Sequence, residues 1–267
     1  MSNRKAGFVA AVAVVTLCAT ASATHPATPA AWAQAQKSPA PDRRAQALLA
    51  RAAEALGGTA ALNAVNSLLL VRHDHTTVKI LFPDRWQTVD DAGALGTAIF
   101  TLDGDHAWNR LPERLAAMSK GAPPTADALR SARRHEIVQC SLKYLLRPPS
   151  DYIMRSEYAG QVTFGPVTGE TVEFTGSDGF WVSMIFDSSS GLPTAQITRI
   201  RGDPQVHGTH LIEELRDYRR SGGILVPFQS AEYRLKLGKT EPLAVWRFTI
   251  EVNPPLKKSD FREPPGQ

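Results

Sequence analysis

The stretch Leu243-Ala244-Val245-Trp246-Arg247-Phe248-Thr249-Ile250-Glu251-Val252-Asn253 decides the fold class. Successive side chains of a strand point to opposite faces. Here Trp246, Phe248, Ile250 and Val252 form one apolar set, while Val245, Arg247, Thr249 and Glu251 mix apolar with polar. A period of two describes a strand with one covered face and not a helix. The same alternation recurs upstream. Phe180, Val182, Met184 and Phe186 share a face opposite Trp181 and Ile185, and Tyr233, Leu235 and Leu237 oppose Arg234 and Lys236. Strands are expected at 152–158, 162–164, 171–174, 180–186, 195–201, 210–218, 225–237 and 243–253. Asp178-Gly179, Ser190-Gly191, Asp203-Pro204, Gly222-Gly223 and Gly238 supply the turns between them.

Helical spacing appears in few places. Ala45, Leu48, Leu49, Ala52, Ala53 and Leu56 repeat at that spacing after Asp42, and Gly57-Gly58 ends the run. Thr59 is placed to cap a short second helix through Val65. From Ser67 the pattern reads as one strand run to Phe82, stopped by Pro83, and Asp103-Gly104 turns the strand at 99–102 back toward 106–108. A further helix is expected at 126–146, where Leu129, Val138, Leu142 and Leu145 share a side and Pro148-Pro149 forbids continuation. The fold class is therefore mainly β (α+β): a curved antiparallel sheet with a few helices packed on it.

The 267 residues carry 30 Lys+Arg against 26 Asp+Glu, and 43% are hydrophobic, more than a disordered chain carries. Residues 1–23 read as a secretory signal: Arg4-Lys5, an apolar stretch, then Ala21-Ser22-Ala23 as a small-residue cleavage site, with Ala31-Trp32-Ala33 as an alternative cut. Without Arg4 and Lys5 the net charge falls from +4 to +2, too small an excess for a nucleic-acid partner. Residues 24–41, with Pro26, Pro29, Pro39 and Pro41, read as a flexible tether. Residues 42–267 form one domain. Cys18 falls in the leader and leaves Cys140 alone, which excludes an intrachain disulfide in the mature chain and a cysteine metal cluster. The product is expected to be exported to a bacterial periplasm, soluble and monomeric.

Roughly three helices are a small cover for so many strands, so part of the apolar sheet face needs another covering, and an acyl chain is a natural one. Burying ten methylenes would contribute roughly 8 kcal/mol gross, enough for micromolar binding before ordering costs. Phe82, Trp86, Phe180, Met184, Phe186, Tyr233, Trp246 and Phe248 are the candidate lining of such a cavity.

Several local signatures occur in a familiar order: Ala55-Leu56-Gly57-Gly58 after a helix, Pro83-Asp84-Arg85-Trp86, Asp103-Gly104 with Trp108, Asp187 followed by Gly191-Leu192-Pro193, Gly223-Ile224-Leu225-Val226-Pro227, and Asp260-Phe261 with Pro264. By their order and spacing the chain resembles the LolA/LolB-like group of periplasmic lipoprotein-sorting proteins, in its larger members. The resemblance implies an unclosed half-barrel whose concave face is lidded by helices and shelters the acyl chains of a lipid or lipoprotein. No cofactor is expected, and an envelope membrane protein is a candidate partner. An arginine near an early strand bonds to lid carbonyls in proteins of this type, and Arg85 is the nearest match. The segment 111–147 reads as a helical insertion beyond the family pattern.

Catalytic constellations are few. His73-Asp74-His75 would put two imidazoles on one face of a strand, and His207 and His210 with Glu213 offer further ligands. They support a metal-dependent hydrolase only weakly, since no helix carries them. No G-x-S-x-G elbow, P-loop or G-x-G-x-x-G occurs. Arg216, Arg219 and Arg220, with Arg130, Arg133 and Arg134, read as solvated surface or as a docking patch for an anionic partner. The leading expectation is a non-enzymatic carrier or chaperone. A lipid-responsive sensor for an envelope partner is the alternative.

Overall fold

The computed structural model describes residues 42–118, 154–164, 167–176, 180–199, 210–234 and 242–264. Helix α1 (Arg43–Ala55) is followed by the short α2 (Thr59–Asn63), and α3 (Glu113–Met118) follows the fifth strand. Twelve strands form one sheet: β1 (Ser67–Arg72), β2 (Thr76–Leu81), β3 (Arg85–Asp91), β4 (Thr97–Asp103), β5 (His106–Arg110), β6 (Met154–Phe164), β7 (Val167–Gly176), β8 (Trp181–Phe186), β9 (Pro193–Arg199), β10 (His210–Ser221), β11 (Ile224–Arg234) and β12 (Ala244–Val252). All pairings are antiparallel, in the order β5-β4-β3-β2-β1-β12-β11-β10-β9-β8-β7-β6. Two meanders thus join where the first strand pairs with the last, and the edges β5 and β6 stay unpaired with each other. The sheet is an unclosed half-barrel, as expected.

Local differences from the sequence reading have physical causes. The run at 67–82 is two strands, because residues 73–75 make a hairpin turn. Asp74 accepts from Arg72 Nε at 2.6 Å and from Thr76 N at 3.4 Å, and His75 takes φ +80. The carboxylate does the work that Gly or Pro would announce in a sequence. Segments 152–158 and 162–164 are one strand, β6, with a bulge between Tyr158 and Gly160. Strand β3 is absent from the sequence reading, since Pro83 precedes it and Asp90-Asp91 end it. Gly58, not Thr59, is the cap residue of α2. The helix expected at 126–146, the leader and the tether lie outside the described residues, as does Cys140.

Helix α1 packs into the concave face. Asp42 caps it, its Oδ1 accepting from the backbone of Arg44 and Ala45 and its Oδ2 from Tyr158 N in β6. Those bonds hold the Asp42 carboxyl below its ordinary pKa, the Tyr158 amide contributing most. Ala45, Leu48 and Ala52 enter a cluster that joins Val78, Ile80, Trp86, Phe100 and Leu102 on one arm of the sheet to Val172, Phe174, Val182, Met184 and Phe186 on the other. At the far end of α1, Leu225 N donates to Leu56 O at 2.8 Å. Gly57 there has φ +127, and a Cβ would lie 2.7 Å from the carbonyl oxygen of Gly223. Only glycine lets the helix end meet the β10–β11 hairpin.

The chain end seals the other side. Asn253, at φ +59, accepts on Oδ1 from Asn66 N at 2.6 Å and donates from Nδ2 to Ala64 O at 3.0 Å, which ties β12 to the α2–β1 junction. The 3-10 turn Lys258–Phe261 then covers the convex side of β3–β5, where Trp108 Nε1 donates to Phe261 O at 3.0 Å.

Gly57→Ala is expected to lower stability by roughly 1–3 kcal/mol through left-handed strain and the clash with Gly223, read from a denaturant midpoint. A second expectation concerns acid. Asp187, in the β8–β9 turn, accepts from the hydroxyls of Ser189 and Ser190 and from their backbone amides, and these bonds lower its pKa from 3.8 to about 2. Its contribution is complete above an unfolded pKa near 3.8 and is lost as pH falls toward 2. Asp187→Asn should therefore destabilise at pH 7, and the gap to wild type should close between pH 4 and 2 in a thermal melt series.

Candidate functional site

The concave face is not covered uniformly. On the two arms, Trp86, Phe180, Met184 and Phe186 are at most 3% exposed, in the cluster that also holds Ala45, Leu48 and Ala52 of α1. On the middle strands the pattern changes. Trp246, Phe248 and Ile250 of β12, and Leu68 and Leu70 of β1, are only half-buried although they face inward. The space above them is a cavity of about 300 Å³, at the small end of the range in which ligand sites fall.

Strand register builds its wall. Leu70 lies opposite both Ile250 and Val78, Leu68 opposite Ile80, and Arg72 opposite Phe248, so these side chains share the concave face. Leu211 and Leu215 of β10, with Ile224 and Val226 of β11, continue it. One end is closed by Leu56, Leu62 and Val65 at the α1–α2 junction, where they pack with Ile224 and Val226. The other end carries polar groups: Arg72, Thr76, Gln196, Glu213 and Glu232. The Arg72 guanidinium lies 4.3 Å from the Trp246 ring centre and donates to Asp74 at 2.6 Å and to Thr76 Oγ1 at 2.9 Å. Burial would raise the Asp74 pKa, but the Arg72 hydrogen bond and charge, with Thr76, outweigh it and hold the carboxyl below its ordinary value. Gln196 donates to Glu213, and Glu213 faces Glu232 across the β10–β11 pair.

Of the residues expected to line a cavity, the structure brings Trp246 and Phe248 to its wall. Trp86, Phe180, Met184 and Phe186 lie on the same face but belong to the packed core cluster that α1 enters. Phe82 wedges between the two core clusters on that side. Tyr233 is a correction: Ile212 is its register partner, and it is buried on the opposite face with Ile185, Ala195 and Ala231. Its hydroxyl donates to Glu214 at 3.0 Å and accepts from Arg216 at 3.0 Å.

Arg85 is a second correction. It points away from the concave side, held by Asp84 and Asp103, each at 2.7 Å. An arginine that does reach backbone carbonyls is Arg51 of α1, whose Nη2 donates to Asp187 O and Ser188 O at 3.2 Å. The imidazoles of His73 and His75 sit in the β1–β2 turn and not on a strand face. His210 begins β10, and His207 lies outside the described residues. Among the described residues no three His, Cys, Asp or Glu side chains group as metal ligands would. No helix among them is long and apolar enough to cross a membrane.

The wall residues missed by the sequence reading are aliphatic and charged: Leu68, Leu70, Val78, Ile80, Glu213 and Glu232. Their alternation was legible, with Leu68, Leu70 and Arg72 two apart, but nothing local distinguishes an aliphatic side chain under a helix from one under empty space.

No protein-family model matches the sequence, and no curated protein matches it. Solved structures do match in outline. A LolA superfamily protein from Nitrosomonas europaea is 12% identical with a TM-score of 0.45, covering 82% of this chain and 97% of that one. A domain described as outer membrane lipoprotein-sorting, from Vibrio parahaemolyticus, is 9% identical with a TM-score of 0.38, covering 74% and 88%. A DUF1329 family protein from Desulfovibrio piger is 14% identical with a TM-score of 0.44, covering 82% and 97%.

Proposed function

We propose that the protein is a non-enzymatic carrier that shelters the acyl part of a lipid or lipoprotein in the cavity between β1, β2 and β10–β12. The observation that carries this reading is the half-burial of Leu70, Trp246, Phe248 and Ile250 on a face whose neighbours are fully packed. An apolar wall of this size left uncovered is unfavourable in water, at roughly 25 cal/mol per Å², and an alkyl chain removes that cost. No bond is made or broken in such a role. Loading and release are a population shift between a filled and an empty state. In this reading residues 1–23 export the chain to the periplasm, where it works as a soluble monomer and exchanges cargo with an envelope membrane protein.

The test is uptake of a neutral apolar fluorophore, N-phenyl-1-naphthylamine, by the chain lacking its leader. Wild type is expected to enhance its emission with saturation in the micromolar range. Leu70→Trp, which fills the cavity, and Trp246→Asp, which places a carboxylate on its wall, should each weaken uptake by about tenfold or more, or about 1.4 kcal/mol. Because both sites are half-buried, the fold should survive, checked by circular dichroism. Native mass spectrometry of the exported protein should also show a co-purifying lipid near one equivalent. Folded variants that bind like wild type would remove the cavity from consideration.

A further inference from the structure

We propose that the cavity seats a single alkyl chain, about ten carbons of it, and so selects single-chain amphiphiles over lipids that carry two or more chains. This rests on the reading of the cavity as a seat for alkyl chains, and it sets how much chain is taken.

The dimensions follow from the strands that form the wall. Strands β1, β2, β10 and β12 each contribute three alternate residues, running from Leu68 to Arg72 on β1 and from Trp246 to Ile250 on β12. At about 3.4 Å per residue each such run is roughly 14 Å long. A volume of about 300 Å³ then leaves a mean cross-section of about 21 Å². Carbon atoms in van der Waals contact stand about 4 Å apart, so one chain occupies roughly 16 Å² in section and a pair roughly 32 Å². One chain fits and two do not. A methylene takes about the space of a water molecule, roughly 30 Å³, so about ten of them fill the cavity.

The surrounding structure resists enlargement. Leu56, Leu62 and Val65, each 1% exposed, close one end and pack with Ile224 and Val226. Farther out on both arms the same sheet face is filled by the cluster that α1 enters. Helix α1 cannot lift without separating Asp42 from Tyr158 N, and Leu56 O from Leu225 N, both at 2.8 Å. A second chain would have to open an interior packed to crystal-like density. Any chain beyond the capacity stays in water and adds no burial.

The experiment displaces N-phenyl-1-naphthylamine from the exported protein with octyl, decyl, dodecyl and tetradecyl maltoside, each below its micelle-forming concentration. The neutral head is the same throughout. Each buried methylene strengthens binding about fourfold, so the displacing concentration should fall about tenfold or more from octyl to decyl. From dodecyl to tetradecyl it should change by less than about twofold. Diheptanoylphosphatidylcholine should compete within about threefold of heptanoyl-lysophosphatidylcholine, because its second chain finds no seat. Leu68→Ala and Ile250→Ala shorten half-buried wall side chains, and in each the step from dodecyl to tetradecyl should reopen to about fourfold or more. Fold is checked by circular dichroism. A wild-type gain of about tenfold or more from dodecyl to tetradecyl, or from the second phospholipid chain, overturns the one-chain capacity and leaves the alkyl-chain reading standing. A plateau unmoved in both folded variants does the same. Failure of every maltoside to compete while the fluorophore binds removes the alkyl-chain reading and this proposal together.

Discussion

Everything else in the structure depends on a helix with small side chains lying inside a single curved sheet. Ala45 and Ala52 have no exposed surface, and with Leu48 they let α1 approach both arms of the sheet at once. The arms do not pair with each other, since the order ends at β5 and β6. Their shared cluster around α1 is what holds the curvature. Interiors are packed to crystal-like density, so a bulkier side chain at Ala45 or Ala52 would have to spread the arms. The cavity follows from the same geometry. A helix of 13 residues is about 20 Å long, and strands lie about 4.8 Å apart. Such a helix can cross a few strands and cannot cover twelve.

The two ends of α1 are held by different physics. At its start, Arg44 pairs with Glu170 at 3.2 Å and stacks on Tyr158 at 3.8 Å, but the Arg44 side chain is 65% exposed. Exposed pairs of this kind contribute little, roughly 0–1 kcal/mol, and weaken with salt. At its end, Leu56 is buried with Leu62, Val65 and Ile224, its carbonyl receives the Leu225 amide, and Gly57 meets Gly223 without a gap. The firm end is the one that closes the cavity. The apolar end of the cavity is therefore the one fixed to α1.

The large-scale fold was legible in the sequence because its signals are local. The alternation of Trp246, Phe248 and Ile250 against Arg247, Thr249 and Glu251 is the burial pattern of β12, residue by residue. The small-and-leucine stripe of α1 was equally plain. What escaped was set at a distance. The turn at 73–75 depends on one carboxylate serving Arg72 and Thr76, with no glycine to mark it. Tyr233 was grouped with the cavity aromatics because alternation sorts a strand into two faces without saying which is concave. Only the pairing of Ser230 with Trp246 puts Tyr233 outside. Phe180 and Trp246 look alike in sequence, and they differ because the first lies in the cluster that α1 enters and the second does not.

The polarity of the cavity is in turn a property of the topology. Helix α2 leads directly into the start of β1, and Asn253 fastens the end of β12 to the same place. Antiparallel pairing then brings the start of β1, the end of β2, the end of β12 and the start of β11 to the helical end. That end must be apolar, because Leu56, Leu62 and Val65 pack there. Among the described residues the opposite strand ends have no helix above them, and the half-buried Arg72, Glu213 and Glu232 lie there. A sheet whose first strand pairs with its last, lidded at one end only, yields a cavity with an apolar floor and a polar mouth. An amphiphile has the same polarity, tail first.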